Sequence, residues 1–250
     1  DGPEGEHLPA RLAKEAVKFI EEKQDEPFLA YLSFYSVHTP LIAREDLKEK
    51  YKARKTERGL KAEWGEEGSR KVRMVQEHAV YGGMIEAMDL AVGEVLDALE
   101  RLDLSEDTVV IFMSDNGTEP GQRKWGSGEP FRGLKWSALE GGTRVPCIIR
   151  FPGLIPAGEV TDKLTTAIDL LPTLAGACGI KLKEGPGIVP KIDGLNLWAS
   201  LQGKAKTHPR SNLLYWHGWA MPQAMERLDA TPVINARLPS RNPIVSLTVV

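Results

Sequence analysis

An α/β fold with a mainly parallel central sheet flanked by helices is predicted by three features of this 250-residue chain. Short runs of β-branched and aromatic residues at 28–34, 109–113 and 147–151 alternate with amphipathic stretches at 8–20, 80–99 and 168–177. That alternation of strand and helix periods is what a parallel sheet with crossover helices needs. Turn formers such as Asp25-Glu26-Pro27, Ser105-Glu106-Asp107 and Pro152-Gly153 separate the segments. Finally, the run Val109-Val110-Ile111-Phe112-Met113 stops abruptly at Ser114-Asp115-Asn116-Gly117, which delivers polar atoms to the carboxyl edge of a sheet, where open α/β folds place ligands.

The elements follow in order. Leu8, Leu12, Ala16 and Ile20 repeat at helical spacing, and the helix closes before Asp25-Glu26-Pro27 opens a strand through Phe34. From Asp46 to Lys71 the chain is dense in Lys, Arg, Glu and Gly, which predicts a solvated excursion with short helical turns, its charge serving solubility. Val80, Met84, Ala87, Ala91, Val95 and Leu99 mark one face of a long helix, with its methionines in the core. Cys147 to Phe151 reads as a strand, and Ile168 to Ala177 as a helix with Pro172 in its first turn. Beyond Trp219 periodicity fades until Ile244-Val245-Ser246-Leu247-Thr248-Val249-Val250.

Composition narrows the function classes. With 32 basic and 35 acidic side chains, nothing singles out a nucleic acid or an acidic membrane surface as partner. No apolar run approaches the roughly 20 residues of a membrane helix. Cys147 and Cys178, each in an apolar stretch, read as two buried thiols rather than a disulfide or metal site. The opening Asp1-Gly2-Pro3-Glu4 reads as an internal starting point.

Asp115 and Asn116 offer two hard oxygens side by side, suited to Ca²⁺ or Mg²⁺, although Asp-Asn-Gly alone makes an ordinary turn. Two later segments, Arg132-Gly133-Leu134-Lys135 and Glu140-Gly141-Gly142-Thr143-Arg144-Val145-Pro146, bring cations and small residues back toward the same edge. Together these resemble the sulfatase family of the alkaline phosphatase superfamily. So do Ser36-Val37-His38-Thr39-Pro40 after a strand, Tyr81-Gly82-Gly83-Met84-Ile85-Glu86-Ala87-Met88-Asp89, Asp169-Leu170-Leu171-Pro172-Thr173-Leu174 and Asp193-Gly194-Leu195.

The resemblance implies an alkaline-phosphatase-like sandwich and hydrolysis of a sulfate monoester, of an aryl compound or a carbohydrate. Asp115 and Asn116 would be ligands of calcium, with magnesium the lesser alternative; Lys135 would bridge a sulfate oxygen and the nucleophile. His38 would contact the ester and donate to the leaving oxygen. Arg144 fits a structural ion pair better than the site, and His217 falls where a substrate-binding loop is expected. Discrimination among substrates is assigned to loops such as Glu119 to Pro130.

The family nucleophile is a formylglycine made within Cys-x-Pro-x-Arg or Ser-x-Pro-x-Arg. Neither Cys147-Ile148-Ile149-Arg150 nor Cys178-Gly179-Ile180-Lys181 fits it, and the paired aspartates that complete the calcium site are missing. The expectation is therefore a C-terminal portion of a sulfatase, inactive alone, with an open sheet edge and with its nucleophile in a preceding segment. Residues 1–205 would form the α/β domain and 206–250 the start of a small C-terminal subdomain, with an atypical tail after Trp219. Family habit suggests a periplasmic, secreted or lysosomal setting. The alternatives are a phosphoryl transferase or phosphodiesterase of the same superfamily, which would carry a Ser or Thr nucleophile upstream, and a noncatalytic sulfatase-like binding protein.

Overall fold

The computed structural model describes residues 5–67, 70–118, 130–183, 191–217, 221–225, 233–235 and 244–249. Helix α1 (Leu8–Lys23) leads into strand β1 (Leu29–Phe34), as its helical spacing and the Pro27 break predict. The inward residues of α1 are Ala13 and Ile20, with Leu12, Ala16 and Val17 at the flanks, while Leu8 lies half exposed. Next come α2 (Glu45–Glu57), the hairpin β2 (Trp64–Glu67) and β3 (Arg70–Arg73), and α3 (Ala79–Arg101), which crosses back to β4 (Val109–Ser114). A four-residue α4 (Glu140–Thr143), β5 (Cys147–Arg150), β6 (Glu159–Thr161), α5 (Leu170–Ala177) and α6 (Trp198–Leu201) follow. The described chain closes with β7 (Leu213–His217), β8 (Met221–Met225), β9 (Val233–Asn235) and β10 (Ile244–Val249).

Six strands form the central sheet in the order β1-β10-β4-β5-β9-β6. The pairs β1·β10, β10·β4 and β5·β9 are parallel, whereas β4·β5 and β9·β6 are antiparallel. The sheet is thus mixed, with three parallel and two antiparallel pairs. The segment beyond Trp219 contributes β8, β9 and β10, and β10 occupies the slot between β1 and β4. Its run Ile244-Val245-Ser246-Leu247-Thr248-Val249 has the composition of a strand flanked on both sides. Among the described residues of 206–250, β7 and β8 pair only with each other, while β9 and β10 join the main sheet.

One face of the sheet packs Ala30, Leu32, Phe34 and Val110 against Ala13 and Ile20 of α1 and Met88, Ala91, Val95 and Leu99 of α3. The other face packs Val109, Ile111 and Ile149 against Ile155 and Leu201, with Leu170 and Leu174 alongside. That second cover does not reach β1. Leu29 and Tyr31 align through β10 with Val109 and Ile111 but are 63% and 67% exposed, so the β1 edge carries uncovered apolar surface.

The stretch 46–71, expected as a solvated excursion with short helical turns, instead holds most of a 13-residue helix docked on α3 and the start of the β2–β3 hairpin. Helix α2 is polar almost all round, and Leu47 is its one buried residue. Its docking rests on Tyr51, whose ring lies on the backbone of α3 at Gly82. A Cβ at Gly82 would come within 2.8 Å of that ring, so the Tyr-Gly-Gly of the sequence is a landing place for α2. The periodicity of α2 gave no sign of this because the contact needs one aromatic and two glycines rather than an apolar stripe.

Candidate active site

Strand register sets the frame of the site. Phe34 at the end of β1 and Ser114 at the end of β4 both align with Val249 of β10, so they stand level at the carboxyl edge, about 10 Å apart at two strand spacings. His38 lies four residues past the first and Asp115 one residue past the second.

Beyond Phe34 the chain turns sharply, with the His38 amide donating to the Tyr35 carbonyl at 2.8 Å and cis peptides at Ser36-Val37 and Thr39-Pro40. His38 is half-buried, and its Nδ1 lies 2.8 Å from the Thr39 carbonyl. A carbonyl oxygen only accepts, so this contact assigns the hydrogen to Nδ1. Nε2 then carries a lone pair in the neutral ring and becomes a donor when the ring is protonated; among the described residues it has no partner.

At the end of β4, Ser114 Oγ donates to the Asn116 carbonyl at 2.9 Å, which folds the Asp-Asn-Gly turn and leaves the Asp115 carboxylate exposed. The three sequence segments that suggested a site are tied together by backbone bonds. The Gly117 amide donates to Gly142, the Lys135 amide to Thr118 and the Gly141 amide to Arg132, at 3.1, 2.9 and 2.7 Å. A Cβ on Gly117 would overlap the carbonyl of Gly141, so only glycine lets these loops touch. Lys135 is thereby carried onto the loop that holds Asp115 and Asn116. Its half-buried ammonium makes no ion pair among the described residues.

The cations divide as their surroundings dictate. Arg144 bonds Glu140 at 2.9 Å and lies over the Phe131 ring at 4.7 Å, which makes it a brace between α4 and the Lys135 loop. Beside Asp115 opens a cavity of about 250 Å³, walled by Met113, Thr143, Cys147, Thr166 and Leu170. The thiol of Cys147 faces this partly apolar space, and burial pushes its pKa up to about 11. It is therefore no nucleophile at neutral pH. Cys178, expected to be buried, is exposed, because it caps α5 where the chain turns away at Gly179.

The metal expectation meets a partial donor set. Asp115 and Asn116 supply hard oxygens, but calcium takes about six to eight, and among the described residues no cluster of three His, Cys, Asp or Glu side chains could hold an ion. These residues fit one corner of such a site and do not complete it. Residues 119–129 of the expected specificity loop lie outside the described residues, as does the side chain of His217.

Sequence reasoning missed what Asp169 and Asp193-Gly194-Leu195 do. Asp169 accepts both Nε and Nη2 of Arg210, at 2.7 and 2.6 Å, and both partners are buried. It also accepts the amides of Thr166 and Leu195, while Arg210 reaches the Asp193 carbonyl. Thr173 accepts the Leu197 amide at 2.9 Å, so both motifs form one lock beneath the cavity. The sequence marked both segments as sulfatase-like motifs, but it carried no sign that they bind each other through Arg210.

A model of the sulfatase family matches residues 2–180. The chain belongs to the sulfatase family. The sulfatase chain is 33% identical over 217 residues to the steryl-sulfatase of Homo sapiens, covering 84% of this chain and 32% of that protein. It is 36% identical over 222 residues to a sulfatase of Formosa agariphila, covering 84% and 36%. Among solved structures, Ps i-CgsB in complex with k-i-k-neocarrahexaose superposes with a TM-score of 0.67 at 28% identity, over 86% of this chain and 42% of that one. The alkaline-phosphatase-like α/β fold is shared with it. The chain spans about a third of the length of these curated relatives, and no helix among its described residues is long and apolar enough to cross a membrane.

Proposed function

We propose that this chain supplies the leaving-group and charge-neutralising half of a sulfate monoester hydrolase, which converts a sulfate ester and water to an alcohol and hydrogen sulfate. The observation that carries this reading is the backbone interlock of Gly117, Thr118 and Lys135 with Arg132, Gly141 and Gly142, which carries Lys135 onto the loop of Asp115 at the carboxyl edge, neither side chain forming an ion pair among the described residues. In this reading the Lys135 ammonium faces a sulfuryl oxygen and neutralises charge as the S–O bond breaks. His38, with Nδ1 held by the Thr39 carbonyl, presents protonated Nε2 to the leaving oxygen and must be cationic to do so.

Asp115 and Asn116 would hold one side of a calcium ion, whose bound charge would orient the sulfate group, with the remaining ligands and the formylglycine supplied from outside residues 1–250. Aryl and carbohydrate sulfates are both compatible with this core; the neocarrahexaose bound by a structural neighbour favours a sulfated carbohydrate. The β7·β8 pair, separate from the main sheet, would begin the C-terminal subdomain.

The test is expression with the coding sequence upstream of Asp1, followed by assays on 4-nitrocatechol sulfate and on a sulfated oligosaccharide. Lys135→Ala and His38→Ala should each lower kcat by about 100-fold or more, the range for losing one transition-state contact. Wild-type turnover in both variants would reject the assignment.

A further inference from the structure

A second cavity, of about 270 Å³, opens between α2 and α3, far along the chain from Asp115. Its wall includes Tyr51, Arg54, Lys55 and Arg58, spaced i, i+3, i+4 and i+7, so they share one face of α2 and its C-terminal turn. Tyr81 and the buried Glu77 face them.

The charges in this cleft do not cancel. Glu77 is buried and is held by both Arg73 and Lys55, two cations to one carboxylate. The other lysines of α2 are neutralised locally, Lys48 by Glu45, Lys52 by Glu49 and Lys50 by Glu86. Arg54 and Arg58 differ from them. Among the described residues neither forms an ion pair, although Arg54 acts at longer range on Glu86, which Lys50 already holds, and Arg54 lies over the Tyr51 ring at 5.7 Å. The two guanidiniums of α2 and its C-terminal turn that form no ion pair among the described residues both line the cavity. The local potential registers on His78, whose pKa is lowered by burial first and then by Arg73 and Lys55.

Position links the cleft to the candidate active site. A 23-residue helix is about 34 Å long and a six-residue strand about 20 Å. Only residues 88–99 of α3 pack on the sheet core, and the helix ends beside the start of β4. Its first turns therefore overhang the carboxyl edge, the edge that carries His38 and Asp115. Helix α2 is reached from the His38 turn by a short link, and Gly83 packs against Ala43 there.

We propose that the α2–α3 cleft is a second anion site, in which Arg54 and Arg58 hold a sulfate group of an extended sulfated glycan at a sugar other than the one hydrolysed. A guanidinium fork can bond two oxygens of the tetrahedral sulfate group at once, and Tyr81 adds an apolar surface for a sugar ring to the same wall. The cavity exceeds what a lone sulfate ion fills and lies near the lower end of small-ligand clefts. The glycan as ligand rests on the sulfate-ester reading above, but its test is binding without turnover, so the two readings fail separately.

The experiment is calorimetric titration of the 250-residue chain with a size-defined heparin hexasaccharide, its desulfated form and inorganic sulfate. The Arg54→Ala/Arg58→Ala double variant should bind the sulfated hexasaccharide about tenfold more weakly and show a shallower salt dependence. The desulfated hexasaccharide should not bind. A Lys14→Ala/Lys18→Ala control, which removes equal charge from exposed α1, should bind as wild type does. Arg54→Lys/Arg58→Lys should recover part of the affinity. Unchanged binding in the double variant, equal loss in the α1 control, or a hexasaccharide no tighter than inorganic sulfate would each overturn the proposal. If Lys135→Ala abolished hydrolysis while hexasaccharide binding ignored Arg54 and Arg58, only this proposal would fall.

Discussion

Two buried carboxylates in this molecule are treated in opposite ways. Asp169 and Glu77 have side chains only 1% and 3% exposed, and each contacts a buried arginine. Asp169 is matched by one guanidinium in a two-point grip plus two backbone amides, which satisfies its oxygens and leaves no charge over. Glu77 is matched by two cations and stands at the wall of a cavity that two further arginines line. A balanced, closed pair joins segments 26 and 41 residues apart and serves architecture. An over-compensated carboxylate in an open cleft leaves positive potential for something outside the chain.

Breaking the balanced pair should have the largest effect. Asp169→Ala strands Arg210 in the interior and should lower stability by about 3–5 kcal/mol, measured as a fall in the urea midpoint. The same variant should expose the cavity floor, and Cys147 reports on it. With its pKa at about 11, roughly one thiol in a thousand is ionised at pH 8, so native Cys147 should resist iodoacetamide while exposed Cys178 reacts. In Asp169→Ala both should be labelled, and an unlabelled Cys147 would show that the lock does not shelter the cavity.

Glu77→Gln should cost less, about 1.5–3 kcal/mol, because the amide oxygen can still accept from buried Arg73 while half-exposed Lys55 turns to water. It should also sharpen the contrast, since removing the one carboxylate of the cleft should tighten hexasaccharide binding, read by the same titration. A loss as large as that of Asp169→Ala with no gain in binding would show Glu77 to be a purely structural ion.

The smallest effect concerns His78. Its Nδ1 accepts the Tyr81 amide at 3.2 Å as the cap of α3, and burial with Arg73 and Lys55 lowers its pKa below 6.5. A lowered folded pKa means the unfolded chain binds the proton first. Stability is therefore full above pH 6.5 and declines as pH falls from 6.5 toward the folded value. His78→Asn keeps a capping acceptor and should flatten part of that decline in urea melts between pH 7 and 5. His7, lowered mainly by burial, should account for the remainder.

Much of the architecture was legible because it is written in short periods. The core methionines of α3 lie at helical spacing with Val95 and Leu99, and Met84 and Met88 are 5% and 8% exposed, in the core as read. Pro172 stands in the first turn of α5 for the same local reason. The neighbours Ser114, Asp115 and Asn116 at a strand end, and His38 after a strand, could be read as candidates from chain order alone. The burial of Cys178 was misjudged because apolar neighbours in sequence do not reveal that a helix ends there.

The sequence by itself determined the strand and helix segments, the loops that must approach one another through glycines, and membership of the sulfatase family. Only the tertiary structure decided that the run after Trp219 lies between β1 and β4, that polar α2 lands on Gly82, that Arg210 finds Asp169, and that two arginines of α2 are left facing a cavity. The physical reason is range. Backbone periodicity acts over two to four residues and leaves a repeating trace, whereas strand pairing, ion pairing and docking across tens or hundreds of residues depend on single contacts that leave none.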